Sequence, residues 1–275
     1  MTPRAQLIRF LLVLLPFAAA VAAAVSATFT ARPEAELRVC ADPNNLPFSN
    51  DRGEGFENAL AELVARHLNA TVRYTWHAQR RGFIRNTLAA GRCDVVMGVP
   101  RGYDPVRTTA PYYRSTYVFL YRAGSGVRVR SLEDDGLRRL QIGVHVIGDD
   151  YANAPPAHAL AARGLIANVR GYSIYGNYAE PHPPARLVEA VAAGEVDVAI
   201  AWGPLAGYFA SRQPVPLEMV PVPADPELPA LPFTFDISMG VRRDDEERQR
   251  VLDEFIERNR DEIARLLRRF GVPVG

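Results

Sequence analysis

A twelve-residue phrase occurs twice in this chain, and it constrains the fold more than any other feature. Residues 88–99 (LAAGRCDVVMGV) return as residues 191–202 (VAAGEVDVAIAW), shifted by 103 positions. The same shift relates residues 37–41 (LRVCA) to residues 140–144 (LQIGV). In each copy an apolar strand opens the unit, and a helix that ends at Ala-Ala-Gly leads into a strand that begins with Asp. We therefore predict two similar α/β lobes, with the functional site in the cleft between them.

The first 27 residues differ from the rest of the chain. Arg4 and Arg9 precede an apolar stretch at residues 10–25, and small residues follow it. This order is typical of an export signal that is removed after secretion. A retained membrane anchor is the alternative, but Pro16 interrupts the stretch and its length falls short of the roughly 20 residues that span a bilayer. We predict a cleaved signal peptide at 1–27 and a periplasmic location.

The charge balance excludes some classes of partner. Removing residues 1–27 takes away two arginines and no acid, which leaves 30 basic and 31 acidic side chains. A net charge of −1 gives no electrostatic footprint for nucleic acid. We also expect no stable membrane insertion once the signal has been cleaved.

Chain order predicts that the polypeptide leaves the first lobe, builds the second and then returns. The boundaries are 28–122 and 233–275 for lobe 1, and 123–232 for lobe 2. Two crossings between the lobes make a two-segment hinge, which suits closure around a cleft. The predicted strands are 37–41, 71–76, 94–99, 112–121 and 233–241, with further strands starting near 140 and at 197. The predicted helices are 56–68, 82–90, 155–164, 184–193, 244–258 and, with Asn259 as its cap, 259–271, and residues 213–232 are predicted to be a proline-rich connector.

The chain has two cysteines. Cys40 lies in the first strand and Cys93 just before the third, and these strands are neighbours in a parallel α/β lobe. Exported proteins retain disulfides, so a Cys40–Cys93 bond is predicted if the Cα atoms come within about 7 Å. Two buried thiols that pack as small hydrophobic residues are the alternative.

Candidate cleft residues follow the predicted strands or lie in the loops beside them. The aromatic ones are interpreted as an apolar cleft or a partner surface, with core packing as the alternative, which is favoured for Tyr113 and Tyr208. For His145 the alternative to a cleft role is a structural role in the core. For Asp149 and Asp150 the alternative is capping of the helix that follows them. The predicted binding-cleft residues are Asp42, Asn44, Asn45, Phe48, Arg101, Tyr103, Arg107, Tyr112, His145, Gly148, Asp149, Asp150 and Trp202.

Several motifs resemble those of known proteins. The sequences at 45–48 (NLPF), 55–57 (GFE), 91–94 (GRCD) and 110–113 (APYY) are similar to type II periplasmic solute-binding proteins, above all the amino-acid binders. Longer motifs resemble one branch of that superfamily, the quinoprotein dehydrogenase-associated (MoxJ- and XoxJ-like) proteins. They are the residues 40–50 (CADPNNLPFSN), 111–115 (PYYRS), 147–150 (IGDD) and 202–208 (WGPLAGY).

This resemblance implies an α/β, two-lobed type II periplasmic binding protein-like fold over essentially the whole mature chain. It also implies a non-catalytic accessory to a methanol or alcohol dehydrogenase that carries pyrroloquinoline quinone (PQQ). The implied partners are the dehydrogenase, or a maturation intermediate of it, and its cytochrome c. No cofactor or metal is expected in the chain itself, and no local catalytic motif is present. The alternatives are the solute-binding component of an ABC uptake transporter for a small uncharged or cationic ligand and, more distantly, a dehydratase-type enzyme.

One residue argues against an α-amino acid ligand. Amino-acid binders of this fold hold the ligand ammonium with an aspartate after a second-lobe strand, and its carboxylate with an arginine. Here Trp202 occupies the expected place of the aspartate, and a neutral indole cannot pair with a buried ammonium. Arg101 and Arg107 are the candidates for the arginine, although their spacing to Tyr112 is shorter than in the amino-acid binders.

Overall fold

The computed structural model describes residues 35–146, 153–174 and 178–273. The predicted signal peptide and the predicted cleft residues Gly148, Asp149 and Asp150 lie outside these ranges. Among the residues described, no helix is both long enough and apolar enough to cross a membrane.

Eleven strands and seven α-helices form the described part of the chain. The strands are β1 (Ala35–Ala41), β2 (Asn44–Asn45), β3 (Ser49–Asn50), β4 (Ala70–Trp76), β5 (Val95–Pro100), β6 (Arg107–Arg122), β7 (Ile142–Val146), β8 (Val169–Ser173), β9 (Val198–Trp202), β10 (Leu217–Pro221) and β11 (Thr234–Val241). The helices are α1 (Phe56–His67), α2 (Phe83–Asn86), α3 (Pro155–Ala162), α4 (Arg186–Ala193), α5 (Gly203–Ala210), α6 (Glu246–Arg258) and α7 (Arg260–Arg269), with 3₁₀ turns at Asp135–Arg139 and Pro183–Ala185.

The repeated phrase does correspond to a repeated architecture. Strands β4, β1 and β5 lie side by side and parallel in one lobe, and β8, β7 and β9 lie in the same arrangement in the other. The Asp94 amide donates to the Arg38 carbonyl at 2.8 Å, and the Asp197 amide donates to the Gln141 carbonyl at 2.9 Å. Both members of this second pair lie 103 positions after those of the first. The predicted two-lobed fold is confirmed.

Strand β6 belongs to both lobes. Its first part, Arg107 to Thr116, pairs antiparallel with β11 in lobe 1, and its second part, from Tyr117 onward, pairs with β9 and β10 in lobe 2. Hydrogen bonding is therefore continuous from one lobe to the other through a single strand. The chain returns to lobe 1 along β11, beside the point where β6 leaves it, and these adjacent crossings form the hinge.

Each lobe has its own apolar core. In lobe 1 the α1 side chains Phe56 and Leu60 are fully buried together with Phe255 of α6. In lobe 2, Phe119 and Ile142 are fully buried against the inner face of α3. The apolar residues that recur with the helical period in α1 therefore form the face of the helix that packs on the sheet.

Two predicted elements differ from the structure in lobe 1. The helix predicted at 82–90 is a single turn, α2, because the buried Thr87 hydroxyl donates to the Phe83 carbonyl at 2.6 Å and the Thr87 backbone leaves helical geometry. Side-chain bonds of this kind compete with helix propagation. Asn259 does not cap α7 with its side chain, which instead donates to the Phe255 carbonyl at the end of α6 (2.8 Å).

Three elements of lobe 2 were not predicted. Strand β10 lies in the supposed connector and pairs with β6, with Pro221 at its end, where a missing donor is tolerated. Strand β8 is short and contains Gly171. Helix α5 has no amphipathic period because seven of its eight residues, all but Ala210, are buried. Helix α3 begins at Pro155, as predicted, with Ala154 as its N-cap residue.

The end of the chain forms a third tie between the lobes. The Ser115 hydroxyl donates to the Pro273 carbonyl at 3.0 Å, and the Phe270 ring stacks on Tyr208 at 6.2 Å. Gly207 of α5 is so close to this tail that a Cβ built on it would lie 2.1 Å from the Gly271 oxygen. The tail therefore fixes α5 against lobe 1 by backbone contact.

Candidate functional site

A cavity of about 310 Å³ lies between the lobes. It is formed where the loop after β1, the start of α1 and the end of β5 face the end of β9. Three of the predicted cleft residues line it, namely Asn45, Phe48 and Trp202. The other lining residues are Glu57, Gln79, Gly98, Val99, Pro100, Tyr113, Tyr117, Ile174, Leu205, Phe235 and Ile237.

Aromatic rings make up much of the cavity wall. Trp202, the last residue of β9, packs edge-on against Tyr117 at 5.3 Å and against Phe235 at 5.9 Å between ring centroids. Tyr113, for which core packing was favoured, is 7% exposed and also lines the cavity. Tyr208, by contrast, packs in the lobe 2 core, in agreement with the core packing that was favoured for it.

The acid in this wall is Glu57, which belongs to the motif at 55–57 but was not among the predicted cleft residues. It lies in the first turn of α1, where its backbone amide donates to the Phe48 carbonyl at 2.9 Å. A Cβ on Gly55 would lie 2.0 Å from that same carbonyl oxygen, so only glycine lets the loop and the helix approach this closely. Across the cavity floor, a Cβ on Gly98 would lie 2.2 Å from Glu57 Oε1. The backbone thus leaves a space shaped for a carboxyl group.

The Glu57 side chain is largely buried and faces the cavity. It is 9% exposed, and within the described part of the chain no hydrogen bond or ion pair engages its carboxyl group. Burial, followed by the negative charge of Asp42, raises the pKa of Glu57 to about 8. An acid in the first turn of a helix is ordinarily explained by the helix dipole, so the sequence gives no signal that separates this acid from a surface one.

Asp42 differs from Glu57 in having its carboxylate fully engaged. It accepts hydrogen bonds from the backbone amides of Asn44 (2.8 Å) and Gln79 (2.7 Å) and from the Tyr178 hydroxyl (2.6 Å). The bond from Tyr178 joins lobe 2 to lobe 1. Asp42 therefore holds the lobes together at the cleft and has no carboxylate oxygen free of a partner.

Further contacts reinforce this connection. The Asn44 side chain donates to the Glu180 carbonyl at 3.0 Å, and the Arg80 guanidinium lies 5.1 Å from the centroid of the Tyr178 ring. Leu46 is 3% exposed and packs into the lobe 2 core. We call the contacts of Asp42, Asn44, Leu46 and Arg80 with lobe 2 the latch. The latch closes the cleft on the side of the loop after β1.

The arginines predicted for the cleft lie elsewhere. Arg107 binds Glu246 at 2.8 Å, Gln249 at 3.2 Å and the Arg243 carbonyl at 2.9 Å, so it fixes α6 to β6. The Arg101 side chain is exposed and does not line the cavity. Their placement in the cleft was wrong, because the turn between β5 and β6 carries Arg101 outward and the pairing of β6 places Arg107 at the far end of lobe 1.

Three other predicted residues also lie outside the cavity. The Tyr112 hydroxyl donates to the Met97 carbonyl at 2.9 Å, and its ring packs on the lobe 1 core. Tyr103 is 41% exposed in a separate surface hollow that includes Arg81 and Arg85. His145 is buried, its Nε2 lies 3.3 Å from the Pro184 carbonyl, and burial lowers the pKa of its ring to about 4. His145 therefore has the structural role that was its alternative.

Cys40 and Cys93 are joined by a disulfide, with their Cα atoms 5.5 Å apart. The bond ties β1 to the residues just before β5. In the ranges described, no group of three or more His, Cys, Asp or Glu side chains is placed to hold a metal ion.

The chain is similar to known proteins of the kind that its sequence motifs resemble. The family described as bacterial extracellular solute-binding proteins, family 3, matches residues 37–272. Protein MoxJ of Methylorubrum extorquens is 33% identical over 257 residues, covering 89% of this chain and 83% of its own length.

Two solved structures are also similar. The crystal structure of the periplasmic binding protein XoxJ from Methylobacterium extorquens AM1 has a TM-score of 0.71 and 35% identity, covering 87% of this chain and 99% of its own. The crystal structure of MxaJ from Methlophaga aminisulfidivorans MPT has a TM-score of 0.73 and 26% identity, covering 87% and 100%.

Proposed function

The chain belongs to the bacterial extracellular solute-binding proteins, family 3, and from that premise we propose that it serves as a periplasmic, non-catalytic accessory protein of a PQQ-dependent methanol or alcohol dehydrogenase. It acts by binding the dehydrogenase or by assisting its maturation, and the cytochrome c of the same system is a further candidate partner. Export depends on residues 1–27, which are cleaved.

The observation that carries this proposal is the similarity to MoxJ and XoxJ over most of the chain, at 33% and 35% identity. It agrees with the long motifs at 40–50 and 202–208 that resemble the quinoprotein dehydrogenase-associated branch. The cavity supports it too, because Trp202 lines it at the end of β9, where an aspartate is expected in an amino-acid binder, and no arginine, lysine or histidine is among the described lining residues.

Deletion of the gene in its host tests the proposal. We expect PQQ-dependent methanol oxidation in the periplasmic fraction to fall at least tenfold and to return with a plasmid copy of the full sequence. A copy that lacks residues 1–27 is the matched control, and we expect it not to restore activity because the protein would remain in the cytoplasm. Unchanged methanol oxidation in the deletion strain would contradict the accessory role.

A second candidate function is the solute-binding component of an ABC uptake transporter. It is supported by the cavity between the lobes, whose volume of about 310 Å³ suits a small molecule. Genes for a permease and an ATPase beside this one, with loss of uptake of one solute on deletion, are the expected signs of that function. A dehydrogenase large subunit and a cytochrome c gene in the same place support the accessory role instead.

A further inference from the structure

We propose that the cavity is a binding site for a small organic monocation of the alkylammonium class, with the Glu57 carboxylate as its counter-charge and the surrounding aromatic rings as its walls. This inference goes beyond the accessory role. It rests on the geometry of the cavity alone, so that its failure leaves that role untouched.

The first argument is the unpartnered acid. A buried carboxyl group normally has a hydrogen bond or an ion pair, because burial without a partner costs several kcal/mol. Glu57 is 9% exposed, lines the cavity and has no such partner among the described residues. Gly98 leaves room for the carboxyl group where any side chain would displace it. A ligand that brings a positive charge into the cavity supplies the missing partner.

The second argument is the nature of the walls. Ring faces attract cations through their quadrupole, and aromatic cages are a common way to bind quaternary ammonium groups. Five aromatic rings line this cavity around one acid, and they come from four separate segments of the chain. They are Phe48, Tyr113, Tyr117, Trp202 and Phe235.

The third argument concerns what the cavity excludes. The described lining residues include one acid and no base, and the other side chains able to form hydrogen bonds are uncharged. They are the amides of Asn45 and Gln79, which bond to each other at 3.3 Å, the hydroxyls of Tyr113 and Tyr117, and the indole N–H of Trp202. A ligand carboxylate or phosphate would enter without a positive partner and beside a potential anion. The site therefore favours a cation that carries no acid group.

The charged and titratable groups around Glu57 determine how binding depends on pH. Among the described residues they are Asp42 after β1, Tyr74 of β4, and Tyr112 and Tyr113 of β6, and none of these four is basic. The free site therefore holds Glu57 protonated at pH 7, and cation binding releases one proton. The affinity then rises about tenfold per pH unit up to about pH 8, and levels off above it.

Isothermal titration calorimetry with tetramethylammonium and with choline tests the proposal on the full mature protein. We expect saturable binding of at least one of these cations at pH 8.5, about tenfold weaker binding at pH 7, and no binding of tert-butanol, a neutral molecule of similar size. In Glu57→Gln the cation affinity should fall at least tenfold. Glu62→Gln, which neutralises an exposed acid of the same helix, is the matched control and should bind like the parent protein.

Three results would overturn the inference. They are the absence of binding for both cations, equal binding of tert-butanol, and unchanged cation affinity in Glu57→Gln. Because Glu57 is protonated in the free site, glutamine is close to it in shape and charge, so we expect that variant to fold. Circular dichroism and thermal unfolding verify the fold before titration. The methanol oxidation test is independent of every one of these outcomes.

Discussion

Asp42 and Glu57 lie close to the cleft, and their carboxyl groups differ in their hydrogen-bond partners. Asp42 accepts three hydrogen bonds, two of them from backbone amides, whereas the Glu57 carboxyl accepts none from the described residues. The charge of Asp42 is one of the two causes that raise the pKa of Glu57, after burial. The engaged acid thus helps to keep the free acid protonated.

Glu57 should make the stability of the protein depend on pH in a defined direction. Its pKa is about 8 in the folded protein against an ordinary value of 4.5, so the folded state holds the extra proton between these values. The free energy of unfolding therefore decreases as pH rises through this window, at about 1.4 kcal/mol per pH unit for this group. Denaturant unfolding at pH 5, 6.5 and 8 should show Glu57→Gln gaining stability relative to the parent protein as pH rises. A difference that stays constant with pH, as expected for Glu62→Gln, would contradict this.

At the scale of elements, lobe 1 is held by a covalent link as well as by its sheet. The disulfide joins β1 to the start of the segment that becomes β5, and 53 positions separate its two cysteines. Both cysteines are almost fully buried in one small apolar cluster with Phe83 and Leu88. The link therefore fixes the pair of strands from whose ends the cavity loops emerge.

Removing the disulfide should destabilise the protein without changing its fold. We expect the double variant Cys40→Ala/Cys93→Ala to lose about 2–4 kcal/mol of unfolding free energy, because the unfolded chain regains the freedom of a long loop. Denaturant unfolding measures the loss. As a control, dithiothreitol should lower the stability of the parent protein and leave that of the double variant unchanged. Equal stability of the double variant and of the disulfide-bonded parent protein would show that the link contributes nothing.

A single added methyl group at the contact between α5 and the chain tail should also lower the stability of the protein. Gly207→Ala places a Cβ 2.1 Å from the Gly271 oxygen, and backbone on both sides must move to relieve the clash. We expect a loss of about 1–3 kcal/mol in thermal unfolding. Gly136→Ala is the matched control because nothing lies within 4 Å of its Cβ. Similar melting temperatures for the two variants would mean that the tail moves away at little cost.

For the whole molecule, the closed cleft depends on a few contacts between the lobes. Strands β6 and β11 cross between the lobes, and we expect rotation about these crossings to be opposed by the latch on the side of the loop after β1. The hydrogen bond from Tyr178 to Asp42 is a strong member of the latch, because it has a charged acceptor and a length of 2.6 Å.

Loss of that bond should shift the protein toward an open form. We expect Tyr178→Phe to raise the open-to-closed ratio about tenfold to hundredfold, because a hydrogen bond to a charged group contributes about 1.5–3 kcal/mol. Small-angle X-ray scattering should then show a larger radius of gyration than for the parent protein. Tyr103→Phe, which removes a hydroxyl from an exposed residue, is the control and should leave the radius unchanged. An unchanged radius for both variants would show that other contacts keep the cleft closed.

The sequence alone determined the duplicated lobes, the order of most strands and the placement of Asn45, Phe48 and Trp202 at the cleft. These features follow from local patterns, because apolar runs, glycine turns and strand ends can each be recognised from residues that are close together in the sequence. The sequence did not indicate β10 or α5, because a five-residue strand within a proline-rich segment and a helix buried on all sides lack a periodic signal.

Only the tertiary structure decided which charged residues meet at the cavity. Arg101 and Arg107 lie at suitable places along the chain, yet the turn after β5 and the register of β6 carry them away from the cleft. Glu57 has the sequence context of an ordinary helix-start acid, and its isolation arises because Gly98 and the aromatic side chains from both lobes surround it. Burial and charge are properties of the space between elements, and that space exists only once the lobes have packed together.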